Sequence, residues 1–379
     1  MTALAVYILL PYLSTLVPAM YAGMVVAAGG LAALIFFPLL PRLVARYGAQ
    51  QLALIFALAE MFILFMLAAA PGAISSILLI ILMVAIQPFL SYELDLLLEA
   101  TGEAGNKTGE VRAAFLTAWN LGSFAAPLLI GALLVNTDAY GHIFIAAAAM
   151  SVPFVVLFAV RRLPSGVRAV PTSMLDTIIC IFHERDLFAV ACGHFILWLF
   201  YVWAPLYTPI YLHNELGISW ENLSWVFSIM LIPYVLIEYP AGWIADRFLG
   251  DRDLMFVGFL IAGGALASIG FLTTTSSLLL ILIILLVSRI GAALIESMTE
   301  GHFFRRVTER DMNSVSIFRA AWPLAYVIGP IVGSGILFFG NYQMLFFLTG
   351  GFVALAGMIS TMFIRDSHVL LRIPKIEGD

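Results

Sequence analysis

Long apolar runs, separated by short polar or glycine-containing breaks, extend along almost the whole chain. Each run approaches the ~20 residues that an α-helix needs to cross a bilayer. The pattern predicts about twelve spans, numbered here in chain order and centred near residues 9, 31, 60, 86, 124, 151, 199, 231, 264, 287, 326 and 353. The longest polar connections, residues 99–112, 161–185 and 299–313, leave almost no room for a soluble domain. We therefore expect an all-α integral membrane protein whose function lies among its helices.

The composition supports this interpretation. Hydrophobic residues occupy 63% of the 379 positions and charged residues 11%, against roughly 45 to 50% and 25% in soluble domains. The first apolar run lacks a basic leader and a small-residue cleavage site, so we interpret it as span 1 and expect no cleavable signal peptide. This span is short, which fits a misassigned start, a partial sequence, or a complete helix that thins the bilayer locally.

Lysine and arginine alternate strongly between connections. Apart from Arg289 and Arg319, which lie within spans, they all fall on alternate connections or on the C-terminal tail. The opposite connections, such as PGAISS, NTDAYGH and HNELGIS, contain none, and we call the two sides the Arg-rich and Arg-free ends. Because these residues stay on the cytoplasmic side, we predict a multi-pass protein of the cell membrane with both termini cytoplasmic.

The sequence lacks the signatures of enzymes and metal sites. Cys180 and Cys192 have no metal-ligand spacing and cannot form a disulfide framework. There is no phosphate-binding loop, and HERDL, which begins at His183 like a zinc-protease motif, ends in Leu187 instead of histidine. We therefore expect no enzyme activity, no cofactor, no metal and no nucleic-acid partner.

The second half of the chain repeats features of the first. AWNLGSFAAPLLIGALL begins at Ala118 and AWPLAYVIGPIVGSGIL begins at Ala321, 203 positions later, and the same offset relates Glu93 to Glu296. Upstream, Arg46 in LVARYG parallels Arg247 in IADRFLG. Such repetition predicts two pseudo-symmetric halves of six helices, at residues 1–163 and 186–365, followed by a cytoplasmic tail at 366–379.

Residues 164–185 are predicted to link the halves on the cytoplasmic side. Ser173 and Asp176 form a possible capping box, and apolar residues follow at helical spacing. We expect an amphipathic helix on the membrane surface. It either couples the halves or only shields its apolar face in the headgroups.

The connection between spans 8 and 9, AGWIADRFLGDRDL at residues 241–254, concentrates charge between two apolar runs. Its residues Gly242, Asp246, Arg247, Gly250 and Arg252 resemble the loop signature of the major facilitator superfamily, with one residue inserted before the second glycine. With the span count and the repeat, the resemblance covers nearly the whole chain. It implies a major facilitator fold, in which this loop takes part in gating.

The resemblance also implies that Asp246 is a latch facing the start of span 5, near residues 111–114, when the cytoplasmic side is closed. A carboxylate at the C-terminal end of span 8 opposes that helix's dipole and gains from such a partner. The alternative is a solvated loop whose arginines only fix topology. The first half has Ala45 where Asp246 stands, so we do not expect a symmetric second latch.

Small residues and prolines recur in spans 5 and 11. They permit close helix packing and free backbone carbonyls. The first set resembles a degenerate form of the span 5 motif of antiporters in the family, and packing without any bearing on transport direction is the alternative. The residues of this helix-packing motif are Gly122, Pro127 and Gly131 in span 5, and Gly329, Pro330 and Gly333 in span 11.

Ionisable residues inside spans are candidates for a solute or proton path, because charge is costly in the bilayer. Glu60 in span 3 is a candidate proton carrier or a residue hydrogen-bonded within its own half, and Glu93 and Asp95 lie in span 4. Arg289 and Glu296 share roughly one face of span 10. Arg289 is a candidate for positioning a solute or a coupling carboxylate, and the alternative is a buried charge cluster that joins Arg289 or Glu296 to the loop after span 8.

Span 7 is rich in aromatic residues. Trp198 and Tyr201 are candidates for enclosing a solute, and His194 for a group that titrates near neutral pH. Tyr207 and Tyr211 lie closer to the Arg-free end. We predict that these two belong to the aromatic belt at the membrane interface.

These features predict a secondary active transporter of a small organic solute that works by alternating access. Proton-coupled export of an amphiphilic compound, as in an antiporter, is the first hypothesis. The expected partners are the solute, protons and the lipid bilayer, and we expect a monomer. The alternatives are an uncoupled facilitator and, because fold does not fix function, a non-transporting membrane receptor or scaffold.

Overall fold

The computed structural model describes residues 2–69, 72–105, 108–134, 139–161, 183–306 and 317–364. In these ranges the chain forms α-helices, with short 3-10 and π turns and no strand. The predicted linker helix and the tail lie outside the described residues. The α-helices are α1 (Thr2–Ser14), α2 (Ala19–Phe36), α3 (Leu40–Tyr47), α4 (Ala49–Ala68), α5 (Ala73–Gly105), α6 (Thr108–Leu133), α7 (Gly141–Val160), α8 (Arg185–Ile210), α9 (Trp220–Ile229), α10 (Ile232–Ile244), α11 (Gly250–Ser268), α12 (Leu278–Arg306), α13 (Ala321–Phe339) and α14 (Tyr342–Thr361).

Each predicted span falls on helix. Within the described ranges, nine apolar helical stretches are long enough to cross a bilayer, and one of them, Trp220–Phe271, runs through spans 8 and 9. The shorter apolar helices Leu4–Ser14 and Ala118–Leu133 correspond to spans 1 and 5. The predicted all-α membrane fold with about twelve spans is therefore confirmed.

The repeated loops after spans 2 and 8 end in the same backbone conformation. Gly48 has φ of 81° and Gly250 has φ of 77°, a left-handed conformation that strains residues with a Cβ. The second loop accommodates its extra residue, Leu249, in a π turn at Ala245–Leu249. A π turn holds one residue more than an α turn. The insertion therefore leaves the terminal glycine in its place.

The chain forms two compact units. The first comprises Met1–Pro171, Val202–Ser228 and Trp322–Asn341, and the second comprises Thr172–Tyr201, Ile229–Ala321 and Tyr342–Asp379. The division runs through α8 and assigns α13 to the first unit. The two six-helix halves, at residues 1–163 and 186–365, stay a prediction.

Glycines bring helix backbones into contact within the second unit. A Cβ on Gly263 of α11 would lie 2.6 Å from the carbonyl oxygen of Gly350 of α14. A Cβ on Gly291 of α12 would lie 2.7 Å from the carbonyl oxygen of Gly258 of α11. Close approach through small residues is the usual basis of helix association in a membrane, where lipid removes the hydrophobic driving force. These contacts hold α12 in a fixed register against α11.

Candidate functional site

A row of side chains on α8 carries three of the predicted solute-path residues. His194, Trp198 and Tyr201 are four and three residues apart, so they share one helix face. His194 is buried, whereas Trp198 and Tyr201 are half-buried. Trp198 and Tyr201 therefore each keep some exposed surface on this face.

Tyr201 connects this face to α12. Its hydroxyl donates a hydrogen bond of 2.5 Å to Glu296 Oε2, and its ring lies 6.2 Å from that of Tyr234 on α10. Hydrogen bonds to ionised acceptors are roughly twice as strong as those between neutral groups. The structure thus brings together two predicted residues, and it adds Tyr234, which the sequence pattern did not indicate.

His194 positions the indole of Trp198. Trp198 Nε1 donates a hydrogen bond of 2.9 Å to His194 Nε2, and the imidazole stacks on Phe318 with 3.7 Å between ring centroids. A ring nitrogen that accepts a hydrogen bond carries no hydrogen, so this geometry fits the neutral imidazole. The other nitrogen, Nδ1, is buried without a hydrogen-bond partner.

Arg289 is buried with unused hydrogen-bond donors. Its side chain is 3% exposed, and its Nε and Nη1 have no hydrogen-bond partner. The guanidinium carbon lies 5.1 Å from the ring centroid of Phe200 on α8. A cation–π contact contributes about 2 kcal/mol when desolvated, whereas a charge in the middle of a span costs at least about 2.5 to 3.5 kcal/mol. Arg289 therefore presents two donors to any acceptor that reaches it.

The backbone of α12 fixes Arg289 and Glu296 relative to one another. They are seven residues apart on one face of this helix, about 10 Å along its axis. Between them, Gly291 touches the α11 backbone, and Ala292 and Ala293 are fully buried. The second unit thus holds an acid and a base on one rigid segment.

The first-half carboxylates belong to the first unit. Glu60 on α4 is 1% exposed and Glu93 on α5 is fully buried. Glu60 Oε2 and both carboxylate oxygens of Glu93 have no hydrogen-bond partner. Asp95, two residues after Glu93 on the same helix, is half-buried. These three residues stay candidates for a proton path.

Within the first unit, helices from both sequence halves meet near the Arg-free end. Tyr207 of α8 is fully buried, and its hydroxyl donates to the Pro330 carbonyl oxygen at 3.3 Å. A Cβ on Gly23 of α2 would lie 2.6 Å from the Tyr207 hydroxyl oxygen, and one on Gly333 of α13 would overlap the same ring. Tyr207 therefore fills space that two glycines leave free. The predicted interfacial position is wrong for Tyr207 and for Tyr211, which is also buried.

Further contacts of the first unit involve the helix-packing motif. Trp203 Nε1 donates to the Gly329 carbonyl oxygen at 2.8 Å. Gly131 lies against Ser224 of α9 without space for a Cβ. A Cβ on Gly122, by contrast, would meet nothing within 4 Å, and Pro127 is buried. The motif residues in direct contact with another helix at these places are Gly131, Gly329, Pro330 and Gly333.

The loop with the family signature is only partly described. The Arg247 guanidinium lies 5.0 Å from the ring centroid of Trp243. Arg252 Nε is 3.3 Å from Asp253 Oδ1, with both side chains nearly half exposed, so this ion pair contributes at most about 1 kcal/mol. Gly242 is half-buried and Gly250 is buried. The side chains of Asp246 and of residues 111–114 lie outside the described residues, and the latch stays a prediction.

A further cluster in the second unit was not indicated by the sequence. His302 of α12 lies between Asp186 of α8 and Asp251 of α11, at 3.0 Å and 2.9 Å. Acidic residues in the first turns of two helices, and a histidine near the end of a third, are ordinary features when each is considered alone. Among the described residues, no group suited to a metal ion is found.

Comparison with known proteins supports the fold. Residues 192–378 match the family model of the Major Facilitator Superfamily. The nucleoside transporter NupG has a TM-score of 0.72 and 15% sequence identity, with 96% of each chain covered. A point mutant of the same transporter has a TM-score of 0.73 at the same identity and coverage. No curated protein matches the sequence.

Proposed function

We propose that this chain, for which the predicted resemblance to the major facilitator superfamily is confirmed, carries a small organic solute across a membrane by alternating access. The fold and the family match support a transporter and not an enzyme. In folds with inverted or parallel repeats, transport follows from the rocking of one bundle against the other around a central site. Such a mechanism needs a contact that opens and closes and a polar site within the spans, and the described residues offer a candidate for each.

The observation that carries the proposal is the contact set around Tyr207. It joins α2 of the first half to α8 and α13 of the second half at the Arg-free end. The contact includes a close fit at Gly23 and Gly333 and a long hydrogen bond from the Tyr207 hydroxyl to the Pro330 carbonyl oxygen. Such a contact is specific but contains no buried ion pair among these residues. It is therefore suited to a gate that opens and closes repeatedly.

The solute site in this proposal is the accessible face of α8 together with α12. Trp198 and Tyr201 offer rings, Glu296 offers an acceptor, and Arg289 offers donors that are not in use. This combination favours a solute with a planar ring and polar acceptor groups. Nucleosides, the substrates named for the structurally similar NupG, have both features. They are the first compounds to test.

Proton-coupled export stays our hypothesis for the energy source and direction. Glu296 is the carboxylate best placed for it, because this half-buried residue is held by a neutral donor that a solute hydroxyl could replace. If the solute displaces Tyr201, the charge state of Glu296 becomes linked to binding. An uncoupled facilitator would use the same gate and the same rings without that linkage.

The proposal is tested by locking the gate. Gly23→Cys and Ser334→Cys, introduced together after Cys180→Ser and Cys192→Ser, place two thiols where a Cβ on Gly23 would touch the Ser334 hydroxyl. Proteoliposomes are loaded with radiolabelled uridine or adenosine, and efflux is measured with and without an imposed proton gradient. We expect oxidation to stop efflux and reduction to restore it to the rate of the Gly23→Cys variant.

Ser334→Cys alone, treated with the same oxidant, is the control and should transport throughout, while Gly23→Cys alone measures the cost of a Cβ placed against Tyr207. Full efflux from protein whose disulfide has been verified by mass spectrometry would reject Tyr207 and its neighbours as the gate. Acceleration of efflux by the proton gradient in the reduced protein supports coupling, whereas indifference to the gradient supports a facilitator. Saturable binding without efflux would support a receptor.

A further inference from the structure

His302 lies between two carboxylates that come from two other helices. Its Nδ1 is 2.9 Å from Asp251 Oδ2 and its Nε2 is 3.0 Å from Asp186 Oδ2. All three side chains are nearly inaccessible, at 2% for His302, 2% for Asp251 and 6% for Asp186. The cluster therefore ties together α8, α11 and α12 within the second unit, out of contact with bulk water.

The two contacts require a proton that a neutral histidine does not have. A neutral imidazole has one N–H, whereas an ionised carboxylate can only accept. Both hydrogen bonds form together only if the ring is an imidazolium or one carboxyl group is protonated. In either form, the cluster holds one more proton than it would if the imidazole were neutral and both carboxyl groups were ionised.

The positions of the three groups on their helices favour the imidazolium. Asp186 and Asp251 lie in the first turns of α8 and α11, where the helix dipole stabilises negative charge. His302 lies near the end of α12, where the dipole stabilises positive charge. Charge-assisted hydrogen bonds are also stronger than neutral ones. Three helix termini thus support one cation between two anions.

The described charged groups that neighbour the three residues in sequence on these helices are exposed or paired. At the start of α8, Arg185 and the preceding His183 and Glu184 are exposed, and the Arg185 guanidinium lies over Phe363 at 5.0 Å. On α11, Arg252 and Asp253 pair with one another in contact with solvent. On α12, the described neighbour is Glu300, which pairs with Arg319 at 3.4 Å. Water screens most of these charges, so the two buried aspartates dominate the surroundings of His302.

We infer that Asp186, His302 and Asp251 form a proton-binding site that controls how firmly the adjacent loop, residues 242–252, is held in place. Asp251 directly follows Gly250, the last glycine of the loop signature, so the site anchors the loop to α8 and α12. Loss of the proton removes one of the two hydrogen bonds to His302, so one of the two aspartates is no longer held by the imidazole. The loop is then fixed more weakly. Protonation of the site thus links the proton concentration at the Arg-rich end to the local mobility of residues 242–252.

Hydrogen exchange of the full-length protein in lipid nanodiscs tests this inference without any solute. Amide exchange of residues 242–256 is measured by mass spectrometry between pH 5.5 and 9 and corrected for the intrinsic pH dependence of exchange. In the wild type, protection should fall about tenfold or more as pH rises through the titration of His302, since a hydrogen bond to a charged group is lost. His302→Gln should show weak protection at every pH, with no step.

Two further variants complete the test. His213→Gln alters a histidine whose Nδ1 contacts the Ile218 carbonyl oxygen in the first unit, and it should keep the wild-type step. Asp186→Asn removes one of the two carboxylates that hold the proton, so its step should move to lower pH, and it replaces His302→Gln if that variant does not fold. A wild type without a step, or an unchanged step in His302→Gln or Asp186→Asn, would overturn the inference. Because no transport is measured, failure here is distinct from failure of the proposed function.

Discussion

The Tyr201 hydroxyl and the Glu296 carboxylate form a hydrogen bond of 2.5 Å although the residues are 95 positions apart in the sequence. Glu93, the counterpart of Glu296 in the first half, is buried with neither oxygen bonded. The repeat therefore keeps the carboxylate in both halves, whereas a phenol donor is present at the second-half position. The two positions differ in chemistry, which favours distinct roles for the two halves in transport.

Removal of either partner of this hydrogen bond should reduce transport. Tyr201→Phe keeps the ring and removes the donor, and Glu296→Gln keeps the shape and removes the charge. We expect each to lower solute flux about tenfold, equivalent to about 1.4 kcal/mol of transition-state stabilisation. The double variant should be little worse than either single variant, because the residues act as a pair. Additive losses in the initial rate of uridine efflux would show that they act independently.

Arg289→Met should separate stability from function. The change removes a buried charge with two unused donors and keeps an unbranched apolar side chain. We expect the free energy of unfolding in detergent to rise by about 1 to 3 kcal/mol, since hydrophobic replacement of a buried charge is often stabilising. We expect solute flux to fall. Arg319→Met, which removes a base paired with Glu300, serves as the comparison and should not raise stability. Normal flux in Arg289→Met would exclude the arginine from the solute site.

Neighbouring glycines on α14 provide a matched test of helix packing. A Cβ on Gly350 would lie 2.6 Å from the Gly263 carbonyl oxygen, whereas one on Gly351 would meet nothing within 4 Å. Gly350→Leu should therefore destabilise the second unit by about 1 to 3 kcal/mol through overpacking, while Gly351→Leu should be tolerated. Thermal unfolding followed by size-exclusion fluorescence measures both. Equal stability of the two variants would argue against backbone contact between α11 and α14.

Trp203→Phe should weaken the contact between α8 and α13 in the first unit. It removes the donor of the 2.8 Å hydrogen bond to the Gly329 carbonyl oxygen. Side-chain hydrogen bonds between membrane helices contribute about 0.6 kcal/mol on average and at most about 1.7 kcal/mol, so a small decrease in melting temperature is expected. Trp243→Phe, at an exposed position, controls for loss of an indole and should change the melting temperature less.

The loop at residues 241–254 shows how much of a site can be recognised from the sequence. Its signature, its glycine at Gly250 and the extra Leu249 were all visible in the sequence, and the structure explains how the extra residue fits through a π turn. The candidate pair of Tyr201 and Glu296 was also partly accessible, since each was recognised as an unusual residue within a span. Their contact was not predicted, because it depends on the rotation of α8 and α12 about their own axes. Tyr207 was predicted to lie at the membrane interface from its place near the end of its span. Its burial could not be predicted, because it depends on Gly23 and Gly333, which belong to two other helices.

The sequence by itself determined the number, positions and helical character of the spans. Hydropathy over ~20 residues is a local property, and a bilayer leaves an apolar segment little alternative to a helix. Tertiary structure alone decided which polar residues meet. Asp186 and His302 are 116 positions apart, and their contact depends on register and rotation that close packing at small residues such as Gly258 and Gly291 imposes. A one-residue shift along α12 turns a side chain by about 100°, so no local pattern could specify that contact.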